Sequence, residues 1–101
     1  MNQEIIAKLQ YTNSQFPEAE FIIFGSYAKG TNTPLSDIDL LVIFPELHDD
    51  PFDLSYKIRK EIHKYVDGPI DVLVLDKSTY NHRKLIKWSL EHTISKEGVP
   101  I

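Results

Sequence analysis

Three short apolar runs punctuate the chain: Phe21-Ile22-Ile23-Phe24, a second from about Asp37 to Phe44, and Ile70 to Leu75. None of them alternates cleanly between apolar and polar residues. Such near-continuous hydrophobicity marks strands that are covered on both faces. Between the runs the apolar spacing changes to that of helices. Ile5, Ile6 and Leu9 make a stripe behind Asn2, a residue suited to capping a helix start. Leu54, Ile58, Ile62 and Tyr65 or Val66 make another, opened by Asp50 as N-cap with Pro51 at the first helical position. A last stripe of Leu85-Ile86, Leu90 and Ile94 predicts a helical region that starts behind a Ser78 or Thr79 cap. It runs to about Lys96, in one piece or two, with Gly98 as its stop. Gly25-Ser26 turns the first strand into a short helix, which the segment from Gly30 to Pro34 breaks.

The resulting order, αβαβαβα, predicts a small α/β domain with three strands in a mixed sheet packed with helices. At 101 residues the chain is expected to form one domain, spanning residues 1–101. The helical crossover between the second and third strands makes that pair parallel and right-handed.

Composition narrows the functions. With 42% hydrophobic and 26% charged residues this is an ordinary globular composition. The net charge of −4 argues against general nucleic-acid binding, which needs a basic face, although a metal ion could still supply positive charge for one nucleotide. The absence of cysteine removes disulfides, thiolate nucleophiles and zinc-thiolate sites. No secretory signal is visible in MNQEIIAKLQ, and no apolar run approaches the ~20 residues of a membrane span, so a cytoplasmic protein without membrane contact is expected.

The chemistry gathers around Asp37 and Asp39. Two residues apart on one strand, they project from the same side, with Ile38, Leu40 and Val42 on the other. Adjacent carboxylates repel unless a cation or a proton lies between them, so the mouth of a buried strand is a poor place for idle charge. In the parallel arrangement Asp71 opens the neighbouring strand at the same end. With strand one antiparallel, its exit at Gly25-Ser26 arrives there too. The plain alternatives are that Ser36-Asp37 begins a strand and that Asp71 follows a Gly-Pro turn. Ser26 has no histidine nearby in sequence to make it a nucleophile, and helix capping is its ordinary role. His48, His63, His82 and His92 are scattered and read as surface residues, while Trp88 reads as core.

Gly25-Ser26-Tyr27-Ala28-Lys29-Gly30, followed by Ser36-Asp37-Ile38-Asp39-Leu40 and by Asp71 in Pro69-Ile70-Asp71-Val72, resembles the signature of the DNA polymerase beta nucleotidyltransferase superfamily. The length and the ending Ile94-Ser95-Lys96-Glu97-Gly98 are similar to its minimal nucleotidyltransferases. Lys29 stands where arginine is common. GS or DxD alone would mean little; the combination is specific.

The resemblance implies metal-dependent transfer of a nucleoside monophosphate, AMP from ATP, to an acceptor hydroxyl. Asp37 and Asp39 would hold two Mg²⁺ ions, and Asp71 would complete the site nearest the acceptor. Gly25, Ser26 and Lys29 would bind the triphosphate. It further implies a HEPN-type toxin partner in a toxin–antitoxin pair, with this chain as the antitoxin. The chain has no room for the extra domains with which larger superfamily members grip base and acceptor. The acceptor is therefore expected on a partner protein or on a second copy of this chain. The alternatives are a non-catalytic module that neutralises such a partner by contact, and transfer to a small molecule such as an aminoglycoside.

Overall fold

The computed structural model describes residues 2–101. Its elements are α1 (Gln3–Ser14), β1 (Glu20–Phe24), α2 (Ser26–Lys29), β2 (Ile38–Phe44), α3 (Pro51–Ile62), β3 (Ile70–Asp76), α4 (Lys77–Arg83), α5 (Leu90–Glu97) and β4 (Val99–Pro100). The strands form one mixed sheet in the order β3-β2-β1-β4. As anticipated, β2 runs parallel to β3 across the α3 crossover; β1 runs antiparallel to β2, the orientation that brings its exit to the same end.

Alternation along the strands divides the core. Ile38, Leu40 and Val42 face the layer of α1 and α3, where they pack with Leu9, Phe21, Ile23, Leu54, Ile58 and Ile62. Leu41 and Ile43 point the opposite way, toward Ile22, Leu75, Tyr80 and Ile94. Because both faces are covered, β2 carries apolar residues at consecutive positions, and five of its seven are buried. The first two long helices start where their caps place them. The Asn2 Oδ1 accepts from the Glu4 and Ile5 N–H groups, and the Asp50 Oδ1 accepts from the Phe52 N–H at 2.8 Å.

The sheet has four strands rather than three. The extra strand, β4, is two residues long and pairs antiparallel with the edge of β1, Ile23 opposite Val99 and Ile22 opposite Pro100. A two-residue strand has no periodicity, and its proline, which cannot donate, is tolerated only at an edge. The chain end is held further by the Ile101 N–H, which donates to the Phe21 carbonyl at 3.1 Å.

The C-terminal helical region also departs from expectation. It begins two to three residues earlier, capped by Asp76 rather than Ser78 or Thr79, with the Asp76 Oδ1 accepting from the Thr79 N–H at 2.7 Å. Hydrogen bonding by Thr79, through its side chain first and its backbone N–H second, holds the Asp76 carboxyl below its ordinary range. The region is split by a turn at residues 84–89, after which Ser89 caps α5. The turn resets the helical phase, so the stripe does not face inward as one. Ile94 is buried, whereas Leu85, Leu90 and Trp88 are exposed, and Trp88 is surface rather than core. His48, His63 and His82 are on the surface, and His92 is half-buried. Among the described residues, no helix is long and apolar enough to cross a membrane.

Gly98 is where α5 meets β4. A Cβ there would lie 2.6 Å from the Ile94 carbonyl oxygen and 2.7 Å from the Ile22 Cγ2. The Gly98→Ala variant should therefore lose at least about 1 kcal/mol in denaturant unfolding, through overpacking against backbone that cannot yield.

Candidate functional site

The sheet register brings the predicted carboxylates together. Phe24 is opposite Asp39 on one side, and Asp71 is opposite Asp39 on the other. One transverse row thus runs from the end of β1 through β2 to the start of β3. Strand alternation turns its side chains to the face covered by α4 and α5, since Phe24, Leu41 and Leu73 all pack on that side. Asp37 lies just before β2, exposed, and Asp71 is exposed at the sheet edge. Asp39 is half-buried between them.

Electrostatics registers this proximity. The Asp39 carboxyl is raised above the ordinary carboxylate range, first by burial, then by the charge of Asp71, and then by that of Asp37. Asp71 and Asp37 therefore both bear on the Asp39 carboxyl. Among the described residues, no three His, Asp or Glu side chains are closed around a common point as a ready-made metal cluster. Mutual repulsion favours such splaying, and all the donors are hard oxygens of the kind that suit Mg²⁺.

Gly25 is fixed by two requirements. Its φ of 73° lies in the left-handed region, and a Cβ would overlap the Asp39 carboxylate oxygen Oδ2. The turn that starts α2 thus passes directly against the central carboxylate. Gly25, not Ser26, is the N-cap, and no side chain caps the helix. Ser26 occupies the first helical position, and its carbonyl accepts from the Thr31 N–H at 3.0 Å as the chain leaves α2. Its hydroxyl is not spent on the capping role that the sequence suggests.

Lys29 stands at the other end of α2, where its Nζ meets the Glu97 Oε2 at 3.3 Å. Both side chains are about half exposed, so the pair is weak and easily exchanged. Phe24, Gly25, Lys29 and Asp39 form one wall of a cleft of about 200 Å³. Leu90, Thr93, Ile94 and Glu97 of α5 form the opposite wall. Sequence reasoning placed no functional residue on that wall. Glu97 appeared only within the Ile94–Gly98 ending that carries the resemblance, with no role attached, and Leu90 read as part of a core stripe.

The chain belongs to the nucleotidyltransferase family: the nucleotidyltransferase domain model matches residues 5–100 and so takes in the carboxylate row, the glycine turn and α5. It is 35% identical over 79 residues to "Putative protein adenylyltransferase MJ0604" of Methanocaldococcus jannaschii, covering 78% of this chain and 73% of the relative. A toxin–antitoxin crystal structure with AMP-PNP superposes with a TM-score of 0.65 at 22% identity, over 99% of this chain and 72% of that one. A mutant of the toxin–antitoxin MntA-HpeT superposes with a TM-score of 0.63 at 20% identity, over 100% and 72%. At such identities the two structures show a common fold.

The raised Asp39 titration has a consequence for stability. A carboxyl whose folded pKa exceeds its unfolded value favours folding when protonated, and that contribution is lost as pH rises through the folded pKa. At neutral pH the charged Asp39 therefore costs stability. Asp39→Asn should be more stable at neutral pH, by no more than about 1 kcal/mol because the group remains partly solvated, and so unfold at a higher temperature. The gain should disappear as pH falls through the raised Asp39 range toward that of an ordinary carboxylate. Thermal unfolding of both proteins across that pH range checks it.

Proposed function

We propose that this chain transfers AMP from ATP to a hydroxyl of a partner protein and silences a toxin in doing so. The observation that carries the reading is the row of Asp39 and Asp71, joined by Asp37 and closed on one side by the Gly25 turn. Three carboxylates at one sheet mouth, with the central one destabilised in its charged form, call for a multivalent cation. Asp37 and Asp39 would hold two Mg²⁺ ions, which supply charge neutralisation for the triphosphate and lower the pKa of the attacking oxygen.

The chain's own residues do the rest. The Gly25 turn brings backbone against Asp39 with no side chain in the way, which leaves the Ser26 hydroxyl and its neighbouring N–H groups to hold phosphate oxygens. Lys29 exchanges Glu97 for the negative charge of the nucleotide. Asp71, exposed at the edge of the row, faces the acceptor and takes the proton of its hydroxyl, directly or through water. A bond forms between the acceptor oxygen and the α-phosphorus, the bond to the bridging oxygen breaks, and pyrophosphate leaves with the electron pair.

Protein as acceptor and adenylate as the transferred group are supported by the name of the archaeal relative. ATP is supported by the AMP-PNP in one structural neighbour. The partner is supported by the toxin–antitoxin neighbours, and we take it to be HEPN-type from the family resemblance. The non-catalytic module is the competing reading.

Intact-mass spectrometry of a co-expressed toxin partner separates the two. Wild type should add one or more AMP masses, and Asp37→Asn/Asp39→Asn should add none and leave toxicity unsuppressed. Suppression by the double variant without added mass would establish the contact module. The metal is checked independently of activity: added Mg²⁺ should raise the unfolding temperature of wild type and leave that of the double variant unchanged.

A further inference from the structure

The turn between α4 and α5 carries Lys84-Leu85-Ile86-Lys87-Trp88-Ser89, an apolar sequence where a polar connection would be ordinary. Trp88 is 90% exposed, Leu85 76%, Leu90 49% and Ile86 41%. Four large apolar side chains within six residues exceed the scattered single exposures normal for a surface.

The turn is firmly held. The Ser89 hydroxyl donates to the Arg83 carbonyl at 2.7 Å and accepts from the His92 N–H at 3.0 Å. The His92 Nδ1–H donates to the Lys84 carbonyl at 2.9 Å. The Ile86 and Ser89 N–H groups bond to the Arg83 and Ile86 carbonyls, each at 3.0 Å. Arg83 and Glu91 join the two helices at 3.6 Å across the turn. A tryptophan carried on an ordered turn has the backbone part of its ordering cost already met, which favours it as a binding anchor.

Charge and position indicate what covers it. Across residues 77–97, Lys77, Arg83, Lys84, Lys87 and Lys96 stand against Glu91 and Glu97, a net +3. The whole chain is −4, so the other residues carry −7. Lys84 and Lys87, which bracket Leu85 and Ile86, have no carboxylate partner among the described residues. Leu90 belongs both to this surface and to the cleft that contains Asp39. The basic apolar surface is thus continuous with the candidate active site.

We infer that the 84–90 surface docks the polypeptide acceptor, through a helix that is apolar on one face and acidic on the other, and so delivers its hydroxyl to the carboxylate row. The acceptor part of this inference rests on the proposed transfer; the docking part does not. Exposed leucine and isoleucine beside the tryptophan offer phosphates nothing, which favours protein over nucleic acid. A second copy would have to present its acidic aromatic side, Phe52 and Tyr56 with Asp49, Asp50 and Asp53, to this turn. Pairing two different faces in that way closes into a dimer only if both contacts form at once about a twofold axis; otherwise it generates rings or open-ended chains.

Trp88 is the sole tryptophan, so its emission reports on this surface alone. The probe is a synthetic amphipathic helix with leucines on one face, glutamates on the other and one tyrosine. It should move Trp88 emission to shorter wavelength, saturably, with wild type and with Asp37→Asn/Asp39→Asn alike. Leu85→Glu, which keeps the reporter and an unchanged unfolding temperature, should weaken binding at least tenfold, as should high salt. With labelled ATP, Leu85→Glu should raise KM for the tyrosine peptide and leave kcat unchanged. Absence of a shift with the acidic peptide overturns the inference, as does an equal shift with a lysine-for-glutamate peptide or a single-stranded oligonucleotide. Concentration-dependent emission of the protein alone would overturn it in favour of a second copy. If binding follows the expected pattern but no label is transferred, the docking surface stands and the transfer reading fails.

Discussion

Repulsion among three carboxylates is the constraint around which this small domain is arranged. Asp39 sits in the middle of a hydrogen-bonded sheet, so it cannot retreat from Asp71 on the neighbouring strand without breaking register. It cannot turn far toward β1 either, because the Gly25 backbone occupies that side. Burial and two neighbouring charges then push against its ionisation. The parallel pairing of β2 with β3, the antiparallel return of β1 and the glycine turn are each ordinary. Together they hold negative charge where water and distance relieve it only in part. A protein gains nothing in stability from this, and strain of this kind concentrates at sites of function.

The same constraint explains why so much of the chemistry was legible in the sequence. Residues separated by two on a strand share a face, so Asp37 and Asp39 read as a pair, although β2 begins only at Ile38 and leaves Asp37 just before it. A helical crossover must return parallel, so Asp71 was expected at the same end. Gly25 carried its own signal, since a glycine at the end of an apolar run needs a reason. The sheet edge and the C-terminal region were less legible. Val99 and Pro100 are too few to show a period, and their strand exists only because the edge of β1 was available. Leu85, Ile86, Leu90 and Ile94 fit a helical stripe, yet the turn at 84–89 breaks the phase and leaves only Ile94 inside. Spacing reports which residues share a helix face. It does not report whether a second element exists to cover that face.

That distinction bears on Trp88. Apolar residues in a connection would normally be buried beneath it or replaced. Here hydrogen bonds from Ser89 and His92 fix the backbone while the side chains remain in water. Those bonds satisfy the carbonyls at the end of α4, so the turn is stable without help from its own apolar groups. The exposed surface is therefore separable from folding. A turn whose order is independent of its hydrophobic residues can keep or change them according to what they contact.

The cleft beside Asp39 shows how a domain of this size accommodates a reaction with two substrates. One wall, from Phe24 to Lys29 with Asp39, belongs to the sheet and the glycine turn; the other belongs to α5. Lys29 and Glu97 close it with a half-exposed ion pair, which contributes little and is readily displaced by a stronger anion. The Asp39 wall is thus set by strand register. The opposite wall continues through Leu90 into the exposed turn. Both walls come from one small domain, and the start of α5 is the point at which the charged cleft and the apolar surface meet.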